Sequence, residues 1–108
     1  MLPSGILRER VIIEKASETR NALGEAIQTW HKYAERMAAV EPVAYSEGVR
    51  RQQTGGDITY TVRMRYVDGL AGAMRLRWVT RGNRILWVAG ILERGHREEH
   101  EVTAEERD

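Results

Sequence analysis

The most constraining feature of this sequence is a strict alternation from Asp57 to Tyr66, DITYTVRMRY. Apolar or aromatic residues occupy every second position, and threonine or arginine lies between them. Because successive side chains of a β-strand point to opposite faces, this pattern predicts a strand with one buried face. The buried positions are rich in β-branched and aromatic residues, which favours the same interpretation.

Three further segments have the composition of strands. Residues 74–78, MRLRW, repeat the alternation, again with arginines between the apolar residues. Residues 85–92, ILWVAGIL, form a continuous apolar run, which predicts a central strand buried on both faces with a bulge at Gly90. Residues 7–15, LRERVIIEK, indicate an earlier strand, and residues 17–24, SETRNALG, indicate a polar loop.

The pattern is less decisive elsewhere in the chain. Residues 30–39 place apolar side chains at helical spacing, yet the last of them also alternate towards Pro42, so helix and strand both remain open. Residues 42–56 have little periodicity and end in two glycines, which predicts a long loop of the kind that is often functional. The polar residues 103–108 are expected to fray.

Length and composition bound the class of protein. The 108 residues predict one domain, and 42% hydrophobic residues suffice for one modest core. No apolar run approaches the roughly 20 residues that span a bilayer, so no membrane association is expected. The absence of cysteine excludes disulfides, thiol nucleophiles and cysteine-based zinc sites. Nucleotide-binding glycine motifs are also absent from the sequence, and no cofactor is predicted.

The net charge of +1 hides a segregation along the chain. Residues 1–49 carry six Lys/Arg and seven Glu, a net charge of −1. Residues 50–87 carry eight Arg and two Asp, a net charge of +6, and residues 93–108 carry three Arg and seven acidic residues, a net charge of −4. The basic middle and acidic tail predict either complementary surfaces between molecules or screening within one molecule.

A zinc-protease pattern, H-x-x-E-H, occurs at residues 96–100, HREEH. On a helix the two histidines would lie about 6 Å apart and could share one ion. On a strand they would lie about 13 Å apart, at about 3.3 Å per residue, and could not. Gly95 precedes the pattern and no apolar helix face follows it, so a charged strand edge is favoured over a catalytic metal site.

The arginines are a stronger functional signal than the histidines. Arg63 and Arg65 share one face of the first predicted strand, and Arg75 and Arg77 share one face of the next. If these strands pair, four guanidinium groups form one patch suited to phosphate or carboxylate. Three interpretations stay open: contact with a nucleic-acid backbone, a subunit interface with glutamate partners, or a solvated outer face.

Taken together, these segments resemble the phage head–tail joining family, also called head completion or stopper proteins, of long-tailed phages and related gene-transfer particles. The resemblance covers about residues 6–102 and rests on the order of seven motifs: LRERVIIEK (7–15), LGEAIQTW (23–30), YAERMAAVEP (33–42), TYTVRMRY (59–66), MRLRW (74–78), NRILWVAGIL (83–92) and RGHREEHEV (94–102).

The resemblance implies a small antiparallel β-barrel or sandwich of about six strands, formed by a single domain over residues 1–108. It implies that residues 33–41 are strand, that residues 97–102 form the last strand and that residues 43–57 form the long loop. The implied function is non-enzymatic. The protein would form a homo-oligomeric ring in the neck of the virion, below the portal and its adaptor, and close the channel.

The resemblance also implies partners and site residues. Expected partners are the portal or adaptor protein, the tail terminator or other tail proteins, and the packaged double-stranded DNA. The expected channel loop contains Arg50, Arg51, Gln52, Gln53, Gly55 and Gly56. The expected subunit or partner interface contains Arg63, Arg65, Arg75, Arg77, Glu98 and Glu99. The alternative function is a small β-barrel module that binds nucleic acid.

Overall fold

The computed structural model of the protein describes residues 4–43 and 58–106. Within these ranges the chain forms six strands: β1 (Glu9–Arg20), β2 (Ala26–Pro42), β3 (Ile58–Arg65), β4 (Arg75–Trp78), β5 (Arg84–Arg94) and β6 (Glu99–Glu106). Short 3₁₀ turns lie at Ser4–Ile6 and Val79–Arg81. In the described parts of the chain, no helix is long and apolar enough to cross a bilayer.

The six described strands form one antiparallel sheet that closes into a barrel in the order β1-β2-β3-β6-β5-β4. Closure depends on β4, which pairs with β5 on one side and with β1 on the other. The expectation of a mainly β fold, an antiparallel barrel of about six strands, is therefore confirmed. A closed sheet leaves no edge strand in the barrel wall, which removes a common route to aggregation.

The barrel interior is filled by the alternating apolar residues that the sequence identified. Along β3, Tyr60, Val62 and Met64 are buried, while the intervening threonine and arginine positions are only partly buried. The core cluster consists of Val11, Ile13, Ala38, Tyr60, Val62, Met64, Val67, Met74, Leu76, Trp78, Leu86, Val102 and Ala104. Burial of these side chains is the main favourable term, at roughly 25 cal/mol per Å² of apolar surface.

Residues 30–39 are strand, and the helical alternative is wrong. They belong to β2, which pairs with β1 from Ala26 opposite Arg20 to Ala38 opposite Glu9. The predicted polar loop at residues 17–24 is also wrong in its first half, because β1 continues to Arg20. Polar residues can form strand here since residues 18–20 lie beyond the pairing of β1 with β4 and are exposed.

Strand β5 is not buried on both faces, contrary to the prediction from its apolar run. Leu86 is its one buried residue, and Leu92 is 49% exposed. The reason is architectural: a single barrel wall has one inner face, and along the outer face Trp30 packs on Trp87 but Leu92 stays exposed. The predicted bulge is confirmed, because the register against β6 shifts between Val88 and Gly90.

The C-terminal strand differs from both expectations about it. It begins at Glu99 rather than at residue 97, because residues 95–98 form a turn in which Gly95 and Arg97 have positive φ. It also continues through Glu106, so residues 103–106 are not frayed. They are held because β6 pairs with β3 on one side and β5 on the other, and Ala104 is fully buried.

Because the strands are antiparallel, their connections lie at two opposite ends of the barrel. At the loop end, β2 stops at Pro42, β3 starts at Ile58, and residues 79–83 join β4 to β5. At the arm end lie the β1–β2 hairpin turn, the β3–β4 connection at residues 66–74 and the turn at residues 95–98. The predicted long loop at residues 43–57 therefore starts from the loop end; residues 44–57 themselves lie outside the described residues.

A bulge in β2 ties the hairpin to the arm end. Ile13 pairs with Ala34 and Glu14 with Lys32, which leaves Tyr33 as the extra residue. The Tyr33 hydroxyl donates a hydrogen bond of 2.6 Å to the Asp68 carbonyl. Gly69 has a φ of +80°, and a Cβ there would overlap that hydroxyl.

Gly69→Ala should therefore lower the free energy of unfolding by about 1–3 kcal/mol, as measured by urea denaturation. Gly24→Ala is the matched control, because Gly24 has a φ of +81° but no neighbour within 4 Å of its Cβ position. In a Tyr33→Phe background, which lacks the hydroxyl, Gly69→Ala should lower the free energy of unfolding only as much as Gly24→Ala does. Equal losses in the two single glycine variants would contradict the role of the Tyr33 contact.

Candidate partner interface

The four arginines of the predicted patch do not lie together. Arg63 and Arg65 are on β3, and Arg75 and Arg77 are on β4. These strands do not pair, because β4 lies between β1 and β5, three strands from β3 in either direction around the barrel. The prediction of one continuous four-arginine patch is therefore wrong, and the two pairs occupy opposite sides of the molecule.

Arg75 and Arg77 are held by a carboxylate of their own chain. Glu14, on the neighbouring strand β1, accepts a hydrogen bond of 2.8 Å from Arg75 Nε, and its other oxygen lies 3.5 Å from Arg77 Nε. Glu14 is 7% exposed, so this is a largely desolvated cluster. The positive charges of Arg75 and Arg77 offset the free-energy cost of burying the Glu14 carboxylate.

Two tryptophans complete this cluster on the outer face of the sheet. The Arg75 guanidinium lies 4.3 Å from the centroid of the Trp30 ring and 5.4 Å from that of Trp87. The two indoles meet edge to face at 5.6 Å. Because the residues come from β1, β2, β4 and β5, the cluster stabilises the seam where the barrel closes.

No functional role was predicted from sequence for Glu14, Trp30 or Trp87. Glu14 could have been suspected, since it interrupts the apolar run of LRERVIIEK and falls on the same strand as buried residues. The tryptophans carried no such signal, because their contact with Arg75 depends on which strands are neighbours.

Replacing the Glu14 carboxylate should be costly. Glu14→Gln should lower the free energy of unfolding by about 2 kcal/mol, less than the 3–5 kcal/mol of a fully buried pair because Arg77 is partly exposed. The matched control is Glu101→Gln, which removes a 3.1 Å contact to Arg94, half exposed, and should cost less than about 1 kcal/mol. If chemical denaturation showed the same loss of unfolding free energy in both variants, the Glu14 contacts would not be the stronger ones.

The acidic C-terminal strand neutralises arginines of its neighbours. Glu99 lies 3.7 Å from Arg63 on β3, and Glu101 lies 3.1 Å from Arg94 on β5. Glu106 accepts hydrogen bonds from Nε and Nη2 of Arg84, which also packs over the Trp78 ring. Of the two interpretations of the charge segregation, the structure supports screening within one molecule, since β6 lies between two arginine-bearing strands.

The remaining predicted interface residues are at the arm end. Arg65 ends β3, is exposed and pairs in register with Glu99, the first residue of β6. Glu98 lies in the preceding turn, where a Cβ at position 95 would come within 3.0 Å of its carboxyl group. Arg63, Arg65 and Glu99 thus form one neighbourhood, which Arg75 and Arg77 do not join.

The two histidines of the H-x-x-E-H pattern have different environments. His96 is exposed in the turn, whereas His100 on β6 is 4% exposed, so the expectation that both lie on one strand is wrong. His100 Nδ1 accepts a hydrogen bond of 3.1 Å from the Val67 amide, and the ring stacks on Tyr66 at 4.7 Å. Among the described residues, no group of three or more metal-ligating side chains could hold an ion.

Burial lowers the pKa of His100 below its usual value of 6.5, and Glu93 on β5 opposes that shift only partly. The folded state therefore binds fewer protons than the unfolded chain when the pH falls below about 6.5. The contribution of His100 to stability is complete above that pH and is lost as the pH falls through the lowered pKa.

Denaturation curves between pH 7 and pH 5 should accordingly show a loss of stability on acidification. Part of this loss should disappear in His100→Gln, whose amide oxygen can still accept from Val67. The matched control, His96→Gln, should retain the whole loss because His96 is exposed. A pH dependence that persists in His100→Gln and vanishes in His96→Gln would reverse the assignment.

The aromatic residues on the inner face are unavailable to nucleic acid. Tyr60 and Trp78 are each 6% exposed and pack edge to face at 5.3 Å inside the barrel. Neither ring is therefore accessible for stacking on a base. Together with the separation of the arginines, this weakens the alternative of a nucleic-acid-binding module.

The predicted channel-loop residues Arg50, Arg51, Gln52, Gln53, Gly55 and Gly56 lie outside the described residues, and their role stays a prediction. The structure does describe the two chain segments that flank them. The Val43 amide donates a hydrogen bond of 2.9 Å to the Thr59 carbonyl, which continues the pairing of β2 with β3. The two flanks are thus adjacent at the loop end.

Known proteins share both the sequence pattern and the fold. The profile of the phage head completion protein family matches residues 2–107. Protein SF1141 from Shigella flexneri 2a, determined in solution, is 26% identical, with a TM-score of 0.72 over 97% of this chain and 96% of that one. A chain from the virion of a native gene transfer agent particle is 20% identical, with a TM-score of 0.66 over 94% and 96%. No curated protein matches the chain.

Proposed function

Because this chain belongs to the phage head completion protein family, we propose that it is a head–tail connector of the stopper type. Copies of the chain form a ring in the neck of a phage-like particle, below the portal and its adaptor. The ring closes the channel after DNA packaging and offers the surface to which the tail terminator or other tail proteins attach. The work is structural, and no catalytic step is assigned to it.

The observation that carries this proposal is the extent of the family match, from residue 2 to residue 107, which includes every strand of the barrel. The fold supports it through its two different ends. A connector must contact one set of partners above and another below. The barrel offers the long loop at one end and, at the other, the hairpin with the Arg63–Arg65–Glu99 neighbourhood.

The channel role is assigned to the loop that joins β2 and β3. In this proposal Arg50, Arg51, Gln52 and Gln53 meet packaged DNA or the loops of neighbouring copies. Arginine suits a phosphate backbone because its guanidinium presents several donors in a planar fork. The hydrogen bond from Val43 to Thr59 supports treating the loop as separable, since a short turn can connect the two flanks.

The subunit and partner contacts are assigned to the charged outer face. Arg65 at the arm end is exposed, and Arg63 and Glu99 pair loosely beside it. Glu98 lies in the turn at residues 95–98, directly before Glu99. Arg75 is a weaker candidate than it was from sequence, because its side chain is 19% exposed and pairs with Glu14. Partially neutralised charges of this kind set register between partners more than they add affinity.

Deletion of the chain from its parent particle tests this function directly. Heads that leak DNA or lack attached tails are the expected result, counted by electron microscopy and by nuclease sensitivity of the packaged genome. Normal infectious particles without the chain would refute the proposal.

Replacing residues 44–56 by Asn-Gly separates folding from channel closure. The purified variant should keep its denaturation midpoint, because the β2–β3 pairing next to the loop is retained. Particles that carry the variant should retain less DNA. A control variant has a Gly/Ser loop of the native length in place of residues 44–56. It distinguishes the effect of shortening the loop from the effect of removing Arg50 and Arg51. A collapse of stability would show that the loop belongs to the core.

The nucleic-acid-binding alternative predicts a different result with the isolated protein. Binding to duplex DNA at micromolar protein that weakens steeply with added salt would favour it. Weak or absent binding by the free chain, with DNA retention affected only in the particle, favours the connector.

A further inference from the structure

The hairpin that joins β1 to β2 extends from the barrel, and residues 22–29 at its tip are exposed. We define the arm as residues 15–32, from the point where β1 leaves β4 to the bulge at Tyr33. Strand β4 pairs with β1 only as far as Glu14, and β3 pairs with β2 only from Ala38. Among the described residues, the arm strands therefore pair only with each other, and both outer edges are open.

The arm is long enough to reach beyond its own barrel. Six residues of β1, from Lys15 to Arg20, pair with β2 outside the barrel wall. At about 3.4 Å per residue they extend about 20 Å. Trp30 packs the base of the arm against Trp87 and Arg75, whereas residues 22–29 are exposed. A two-stranded ribbon without support along its length is only marginally stable in water. An arm of this length is therefore expected to rest on another surface when the protein is assembled.

The tip of the arm is built as a rigid turn. Asn21 Oδ1 accepts hydrogen bonds from the amides of Leu23 and Glu25, at 2.9 and 3.0 Å. Arg20 donates to the carbonyl of Gly24 at 2.9 Å, and Gly24 takes the positive φ that the turn requires. This turn presents Leu23, which is 82% exposed, at the outermost point. A fixed conformation lowers the entropy cost of docking.

A surface of matching chemistry lies on the opposite side of the barrel. The arm belongs to β1 and β2. Around the closed sheet, β3 separates this pair from β6 on one side and β4 separates it from β5 on the other. At the arm end of that wall, Leu92 of β5 is 49% exposed beside Glu101, its partner on β6. The apolar residues exposed by arm and wall thus occupy opposite sides of one subunit.

The charges on the two surfaces also match in sign. The arm carries Lys15, Arg20 and Lys32 against Glu18 and Glu25, a net charge of +1. Residues 93–101, at the arm end of the opposite wall, carry Arg94 and Arg97 against Glu93, Glu98, Glu99 and Glu101, a net charge of −2. Arg63 of β3 pairs with Glu99, so this surface keeps a net charge of −1. Opposite net charges favour contact between these two surfaces over contact between two arms.

We propose that the arm docks on the β5–β6 wall of a neighbouring copy of the same chain, with Leu23 packing against the surface around Leu92. The two surfaces are different and lie on opposite sides, so the contact repeats head to tail and can close a ring. This inference rests on the proposed connector function, and it assigns the contact between ring subunits to the arm rather than to the channel loop.

The test is photo-crosslinking in assembled particles. A benzophenone amino acid replaces Leu23, and the products are separated by size and mapped by mass spectrometry. The expected products are multimers of the chain, with the crosslink in residues 91–101 of a second copy. The matched control places the same amino acid at Met37, which is 47% exposed on β2 but outside the arm. It should not reach residues 91–101.

Crosslinks from position 23 to the arm of a second copy, to a different neck protein alone, or to nothing would overturn the docking proposal. In each of these cases the chain would still be detected in the particle, so the connector function would stand. Absence of the chain from purified particles would instead refute the function itself.

Discussion

The pairing of β1 with the four-residue strand β4 is the contact on which the rest of the structure depends. It joins Val11–Glu14 to Trp78–Arg75 and converts an open sheet into a barrel. Its inner side contributes Val11, Ile13, Leu76 and Trp78 to the core. Its outer side carries the carboxylate–arginine contact between Glu14 and Arg75, clamped by two indoles. So short a pairing needs support on both faces, and the sequence provides it.

Local pattern was sufficient to predict much of the fold. The alternation of β3, the bulge at Gly90 and the mainly β class follow from side-chain period and glycine placement alone. The strand at residues 33–41 did not follow from local pattern, because helical and strand spacing coincide there. It was identified through the family resemblance, and its pairing with β1 is confirmed.

The candidate interface could not be predicted to the same degree, because it depends on which strands are neighbours. The four-arginine patch required two strands that follow each other in sequence to pair, yet β4 crosses to β1 and leaves β3 beside β6. That one difference divides the arginine patch, gives Arg75 to Glu14 and brings the acidic residues of β6 to Arg63 and Arg94. Glu14 and Arg75 are 61 positions apart, and a contact at that separation leaves no local trace in a single sequence.

Most charged residues of the barrel wall pair within the chain, and the loop end and the arm end carry the features that are free to meet partners. That division suits a connector, because the wall keeps its shape while the ends contact different partners. The most direct measurement is an electron cryo-microscopy map of the neck of the parent particle. The account predicts a ring of identical six-stranded barrels between the portal–adaptor assembly and the tail, with the loop end and the arm end meeting different neighbours. A neck map without this barrel, or with a single isolated copy, would contradict it.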